Sequence, residues 1–234
     1  MPPHKEKEPS DPWVECSSPP CFAHELSAVS DGFAVTDPQQ ARDVSTWRKS
    51  TRIDLLARRA AYSTAERHLF EQRLGTHLLN VLDELRLTGA NKILSGYWPI
   101  KSELNLLSVF EALSEKGVRL ALPVVEEKAQ PLVFYEWKPG AKMTRGVWNI
   151  PVPAKKNAMK PDVLLAPLVG WDRQGYRLGY GGGYFDRTLA ALKSPRFVIG
   201  VGLQATELKT IFPQPHDIPL DMIITEEGIQ WRRK

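Results

Sequence analysis

"DVLLAPLVGWDRQGYRLGYGGGYFDRTLAALK", Asp162 to Lys193, holds an apolar run, a glycine-rich loop and a helical stretch in that order. Asp162 to Trp171 reads as a strand buried on both faces, because its apolar run is nearly unbroken. "YFDRTLAALK" has helical spacing. Strand, loop and helix in succession predict one unit of a parallel sheet with a helix packed back on it. The alternation continues both ways. Upstream, "KILSGYW" (Lys92 to Trp98) predicts a buried strand, "ELNLLSVFEALSEKG" a helix ending at Gly117, and "VRLALPVV" and "PLVFYEW" two strands. Downstream, "RFVIGVG" and "LDMIITEEGI" predict two more. The expected fold is a single three-layer α/β domain with a mainly parallel, doubly wound sheet. Such sheets bind ligands in loops at the carboxyl ends of their strands.

A long helical pair precedes the sheet. "STWRKSTRIDLLARRAAY" offers Ser45 or Thr46 as a cap and puts Ile53, Leu55, Leu56 and Ala60 on the apolar side. The second helix opens at Ser63 with a capping box to Glu66. Residues 1–44 are rich in Pro, Ser and Asp without sustained periodicity, and predict an irregular N-terminal arm before a domain over 45–234. Within the arm, Cys21-x-x-His24 is half of a metal-site spacing, but Cys16 is the only other thiol. A structural zinc needs four ligands, so these read as loop residues. His68 and His77 have no partner at ligand spacing and read as ordinary surface or core histidines.

Composition bounds the function. A chain of 234 residues with 42% apolar and 25% charged residues can bury a proper core. No apolar run is long enough to span a bilayer, and "MPPHKEKEPSDPW" puts acids and prolines where an export signal needs an apolar stretch. Two cysteines make no disulfide framework, so the expected location is the cytoplasm. A net charge of +4 without long Lys/Arg blocks suits anionic small molecules; no nucleic acid or membrane partner is expected. A monomer is the default.

The glycine loop carries the chemistry. Gly179, Gly181, Gly182 and Gly183 let backbone N–H groups approach an anion, and the next helix offers its positive end. No Lys-Ser/Thr follows, so it is not a Walker A loop. Tyr184 stands where a dinucleotide fingerprint would place its third glycine. A flexible connector would also be glycine-rich. Arg177 before the loop, Tyr184 and Phe185 able to stack on a flat ring, and Asp186 at its end favour a nucleotide-phosphate site with a carboxylate for Mg²⁺.

"PLVGWDRQGYRLGYGGGYFDRTL" resembles the signature segment of 5-formyltetrahydrofolate cyclo-ligases, close to PGxxFDxxGxRLGxGxGYYDxxL. "RKSTR", "YWPIKSE", "WNIPVP" and "HDIPLD" fall in the family's order, so the resemblance covers roughly Trp47 to Gly228. It implies conversion of 5-formyltetrahydrofolate, a reduced formyl folate, to 5,10-methenyltetrahydrofolate with ATP and Mg²⁺. In the family's scheme the γ-phosphoryl group passes to the formyl oxygen, and the substrate's own nitrogen 10 closes the ring. No protein nucleophile is then demanded, in keeping with a chain that shows no convincing triad. Catalysis becomes positioning and charge neutralisation.

Carried over by motif, the resemblance implies an ATP site from Arg48, Lys49, Ser50, Thr51 and Arg52 with Arg177, Leu178, Gly179, Tyr180, Gly181, Gly182, Gly183, Tyr184 and Phe185. Arg177, Tyr184 and Asp186 are the implied catalytic residues, and Asp186 and Asp217 the Mg²⁺ contacts. Glu103, with Trp98, Gly182, Tyr184 and Phe185, would meet the folate, a carboxylate suiting the N–H edge of an aminopyrimidine. Arg48, Arg52 and Arg59 share one helix face and are expected to converge on triphosphate, the ordinary alternative being a solvated basic face. Asp186→Ala is expected to spare the fold, as the loss of an exposed helix-start acid. Three positions depart from the family: Arg48 where Lys is usual, Asn105-Leu106 where Asp-Thr is usual, and Val152 where Glu or Gln is usual. They leave two alternatives open, a paralogous ATP-dependent ligase or kinase with another small substrate, and a folate- or nucleotide-binding module without turnover.

Overall fold

The computed structural model describes residues 27–29, 32–34, 38–89, 91–192 and 196–234; Cys16, Cys21 and His24 lie outside them. Among the described residues four helices, α1 (Pro38–Ala61), α2 (Thr64–Glu84), α3 (Leu107–Glu115) and α4 (Tyr184–Ala191), surround one large sheet. Its strand order is Gly228–Arg232, Met222–Thr225, Phe197–Val201, Val163–Pro167, Ile93–Ser95, Arg119–Val124, Val133–Trp137, Ala158–Met159. The five central strands from Met222–Thr225 to Arg119–Val124 are mutually parallel, and the outer three are antiparallel additions. This is the doubly wound α/β architecture that the alternation implies.

The two faces of the sheet are covered separately, as a strand period of two demands. Val163, Leu165, Ile199 and Ile224 share one core cluster with Leu74, Leu78 and Leu82 of α2 and Val109, Phe110 and Leu113 of α3. Their neighbours Leu164, Ala166, Val198 and Ile223 share another with Leu189 of α4, Trp171 and Leu220. α2 opens on the expected capping box: the Glu66 amide donates to the Ser63 hydroxyl at 3.2 Å, and the Ser63 amide to the Glu66 carboxylate at 2.8 Å. Gly117 ends the α3 segment at φ +81.

α1 departs from expectation in two ways. It begins at Pro38, not at a Ser45 or Thr46 cap. Proline suits a first helical turn because its missing N–H has no helical acceptor there anyway. The added turn carries only Val44 as an apolar landmark, so its periodicity was faint. A short hairpin pairing Ser27–Val29 with Gly32–Ala34 precedes it. The second correction concerns the buried face: Ile53 is 61% exposed and Ala60 exposed, whereas Val44, Arg48, Leu55 and Arg59 are buried and Arg52 is partly so. Spacings of four and three residues identify one helix face, and three of its five members are arginines. No helix among the described residues is long and apolar enough to cross a membrane.

Candidate active site

The glycine loop is fixed from behind. Asp172, fully buried, accepts hydrogen bonds from the amides of Gln174 (3.0 Å), Tyr176 (3.1 Å) and Ile211 (2.9 Å). It closes the turn between Gly170–Asp172 and Arg177–Leu178, which leads into the loop. Burial outweighs those three donors and pushes the carboxyl up from its ordinary value. Asp172 falls on the first Asp of the signature segment, but nothing there assigns it a role. Gly181 sits at φ +92, a conformation that a side chain would strain. A Cβ on Gly179 would meet nothing within 4 Å, so the space before that backbone is open. Gly183 is the left-handed N-cap of α4 and supplies no side-chain cap, leaving first-turn amides for another acceptor.

The arginine face of α1 lies against this loop and its neighbours, which rules out a solvated basic face. Its three guanidinium groups serve different loops and do not converge on one point. Arg52 donates from Nε to the Gly179 carbonyl at 2.7 Å, and its terminal nitrogens have no partner among the described residues. Arg48 is consumed by protein acceptors: Nε by the Ile211 carbonyl (2.9 Å), and Nη2 by the Phe212 carbonyl (2.8 Å) and Asp217. A planar fork can make those bonds at once and a lysine cannot, which gives Arg48 a structural use of its own. Arg59 serves the turn carrying Glu103. Lys49 and Ser50 are exposed on other faces of the helix, and Thr51 is half-buried.

Asp186 and Asp217 belong to adjoining segments. Asp186 Oδ1 accepts from Arg177 Nη2 and from the Ile218 amide (3.2 Å), and Arg177 also donates to the Ile218 carbonyl (2.8 Å). Asp186 is therefore not the exposed acid expected; its side chain is 21% exposed and tied to an arginine side chain that is 5% exposed. Oδ2 of Asp186 has no protein partner among the described residues. Asp217 has both oxygens engaged, by Arg48 and by the Gln214 amide at 2.7 Å. No group of three His, Cys, Asp or Glu residues able to hold a metal occurs among the described residues. A Mg²⁺ carried by a nucleotide needs only one or two carboxylates beside the phosphates. Asp186 fits that role through Oδ2; Asp217 fits it only if Arg48 gives way.

Aromatic residues divide between core and site. Phe185 packs on the core cluster beneath α4 and under the Arg177 guanidinium (5.9 Å), not into open space. Trp98 packs partly on the larger core. Tyr184 stays beside the loop, with the Arg187 guanidinium over its ring at 4.9 Å. Trp148, 62% exposed and left-handed at φ 54, meets Tyr184 edge-on at 5.6 Å. In the sequence Trp148 stands out only as the first residue of "WNIPVP".

Glu103 stands on a strained turn. Lys101 and Ser102 are both left-handed (φ 46 and 63), and Glu103 Oε2 accepts the Ile100 amide at 2.9 Å. Such backbone outliers persist where surrounding structure holds them, often at functional sites. Glu103 is only 7% exposed, and burial pushes its carboxyl up to about 7, against the lowering influence of the Ile100 amide, Tyr180, Arg59 and Lys101. Behind it lies a cavity of about 10 Å³ lined by Arg59, Tyr97, Glu103, Leu203 and Thr206, room for one water at most. Asn105, one residue before the Leu106 N-cap of α3, accepts the Leu107 amide at 3.0 Å in an Asx turn.

An α/β domain with a glycine loop, a helix N-terminus and a guanidinium whose terminal nitrogens have no partner among the described residues, at the carboxyl edge of its sheet, has the anatomy of an anion-binding enzyme. The comparisons carry this further. The model of the 5-formyltetrahydrofolate cyclo-ligase family matches residues 44–226, so the chain belongs to that family and is an enzyme of the ligase class. A 5-formyltetrahydrofolate cyclo-ligase of Haemophilus influenzae is 26% identical over 181 residues, covering 74% of this chain and 94% of the relative. One of Mycoplasma pneumoniae is 28% identical over 184 residues, covering 77% and 99%. Two solved structures of 5,10-methenyltetrahydrofolate synthetases superpose. That from Mycoplasma pneumoniae has a TM-score of 0.63 and 27% identity, covering 76% of this chain and 98% of its own. That from Aquifex aeolicus has 0.66 and 28%, covering 79% and 92%.

Proposed function

We propose that this chain is an ATP- and Mg²⁺-dependent enzyme that converts 5-formyltetrahydrofolate to 5,10-methenyltetrahydrofolate, releasing ADP and phosphate. The observation that carries the reading is the glycine loop with open space at Gly179 beside Arg52, whose terminal nitrogens lack partners among the described residues. ATP bound with Mg²⁺ would supply the phosphoryl group that makes the formyl oxygen a leaving group. The chain's own residues bind and orient. Arg52, the loop amides and the first turn of α4 hold phosphate oxygens, and Asp186 offers Oδ2 to the metal. Arg177 fixes Asp186, while Arg48 sets Asp217 beside it. Glu103 accepts N–H groups of the pterin, and Tyr184 borders the formyl end. The small cysteine count favours a reducing compartment, so the cytoplasm is part of the same proposal.

Arg52→Ala tests the phosphate role. The apparent KM for ATP is expected to rise about thirtyfold, roughly the worth of one charged hydrogen-bonding group. The KM for the folate should stay put. A changed folate KM with ATP unaffected would remove Arg52 from the phosphate site.

The pH dependence follows from Glu103. Its carboxylate form is the acceptor, and its folded pKa is about 7. The kcat/KM for the folate is therefore expected to climb as pH rises through neutrality, reporting the free enzyme. A profile flat across that range would mean that Glu103 does not receive the pterin as a carboxylate.

A further inference from the structure

Arg59 is 4% exposed and sits at the C-terminal end of α1, where a charged side chain costs stability unless several acceptors meet it. Nη1 donates to the Leu168 carbonyl (3.2 Å), and Nη2 to the Lys101 carbonyl (2.9 Å) and the Tyr180 hydroxyl (2.6 Å). Lys101 belongs to the strained turn that presents Glu103, Tyr180 to the glycine loop, and Leu168 follows the central Val163–Pro167 strand. One guanidinium thus ties together the folate side, the nucleotide side and the sheet edge. Its Nε, fully buried, has no hydrogen-bond partner among the described residues and lies beside the small cavity that Glu103 also lines. A group whose only purpose was to satisfy carbonyls would not be left one donor short there.

We propose that Arg59 is a positioning residue for the folate: it locks the Glu103 turn to the glycine loop through Tyr180 and holds Glu103 ready as an acceptor. This rests on the reading of Glu103 as the pterin's partner. The groups facing Glu103 are Arg59 from α1, Lys101 from its own turn, Tyr180 from the glycine loop and Tyr97 from the segment after Ile93–Ser95. Lys101 lies over the Tyr180 ring at 5.2 Å and is exposed, so water screens it; Arg59 is the buried cation of the set. Its positive charge favours the ionised form of Glu103, and its fork holds the Lys101 carbonyl and the Tyr180 hydroxyl that flank that carboxylate's turn.

The test compares wild type with Arg59→Gln, Arg59→Lys, Tyr180→Phe and Glu103→Gln, measuring kcat and both KM values across pH alongside thermal stability. Arg59→Gln should raise the folate KM about tenfold, the usual loss for an orienting partner. It should also move the acid limb of kcat/KM up by about one pH unit. Arg59→Lys should bring the limb most of the way back without restoring KM, since an ammonium cannot bridge three acceptors. Tyr180→Phe deletes one hydroxyl from a folded protein and should raise the folate KM in the same direction, so the proposal stays exposed even if Arg59→Gln does not fold. A limb and folate KM unmoved in the Arg59 and Tyr180 variants, while Glu103→Gln removes the limb, would overturn the proposal and leave Glu103's role standing. If Glu103→Gln itself leaves the folate KM unchanged, the reading of Glu103 fails and the role of Arg59 fails with it.

Discussion

Asp186→Asn is expected to lower kcat on the order of 10³-fold while the protein remains folded, the scale of losing one element of charge stabilisation in phosphoryl transfer. Asparagine keeps an oxygen for Arg177 Nη2 and the Ile218 amide, the two donors that Oδ1 now serves. It removes the negative charge, and with it the free Oδ2 oxygen that a nucleotide-bound Mg²⁺ would take. Alanine is the poorer variant, contrary to what an exposed helix-start acid would suggest. It would leave Arg177, a nearly buried cation, with neither counter-charge nor acceptor, at a cost of roughly 3 kcal/mol, whereas asparagine loses the charge but keeps the acceptor. In a domain of this size that is about 10 °C in Tm, enough to confuse lost chemistry with lost fold. Asp186→Asn separates them better: a folded protein that melts above the alanine variant, with turnover nearly gone, supports the metal role. Turnover within about threefold of wild type would move the metal elsewhere.

Glu103→Gln should produce two opposite effects. The kcat/KM for the folate should fall about 10²-fold with the ATP KM unchanged, because the amide cannot accept two pterin N–H groups as a carboxylate does. Stability should rise at alkaline pH. Burial holds Glu103 near 7 in the folded chain, whereas the unfolded chain releases that proton at its ordinary value near 4.5. Between these values the folded state binds more protons, so raising pH through this window erodes stability, and the loss is complete above 7. A neutral glutamine escapes it. The variant's advantage is expected to reach up to roughly 3 kcal/mol above pH 8 and to vanish below pH 4. Melting scans at the two pH extremes with steady-state kinetics check both halves. Equal stability at both extremes would show that Glu103 is not held neutral by burial.

The fold was legible because the parallel strands are buried on both faces and spell themselves as apolar runs. Val163–Pro167, Phe197–Val201 and Met222–Thr225 fall inside the runs quoted from the sequence, and the capping box located the start of α2. The buried face of α1 was not legible. Arg48 and Arg59 are core positions whose polar ends meet carbonyls, so a count of apolar residues passes them over and promotes Ile53, which is exposed. The edge strand Gly228–Arg232 was merged with its neighbour, since only a turn at residues 226–227 separates them. At the site, the glycine loop announced itself through composition. The left-handed turn at Lys101 and Ser102, the Ile211 amide that reaches Asp172 and the pairing of Arg48 with Asp217 depend on contacts between distant segments, and no local pattern encodes those.

The most direct test mixes the protein with ATP, Mg²⁺ and 5-formyltetrahydrofolate and follows the absorbance band of the methenyl folate. The expected result is a rise that disappears when either ATP or Mg²⁺ is left out. No rise from a folded protein that still binds ATP would contradict the proposed reaction and shift the reading to a family member with a different small substrate.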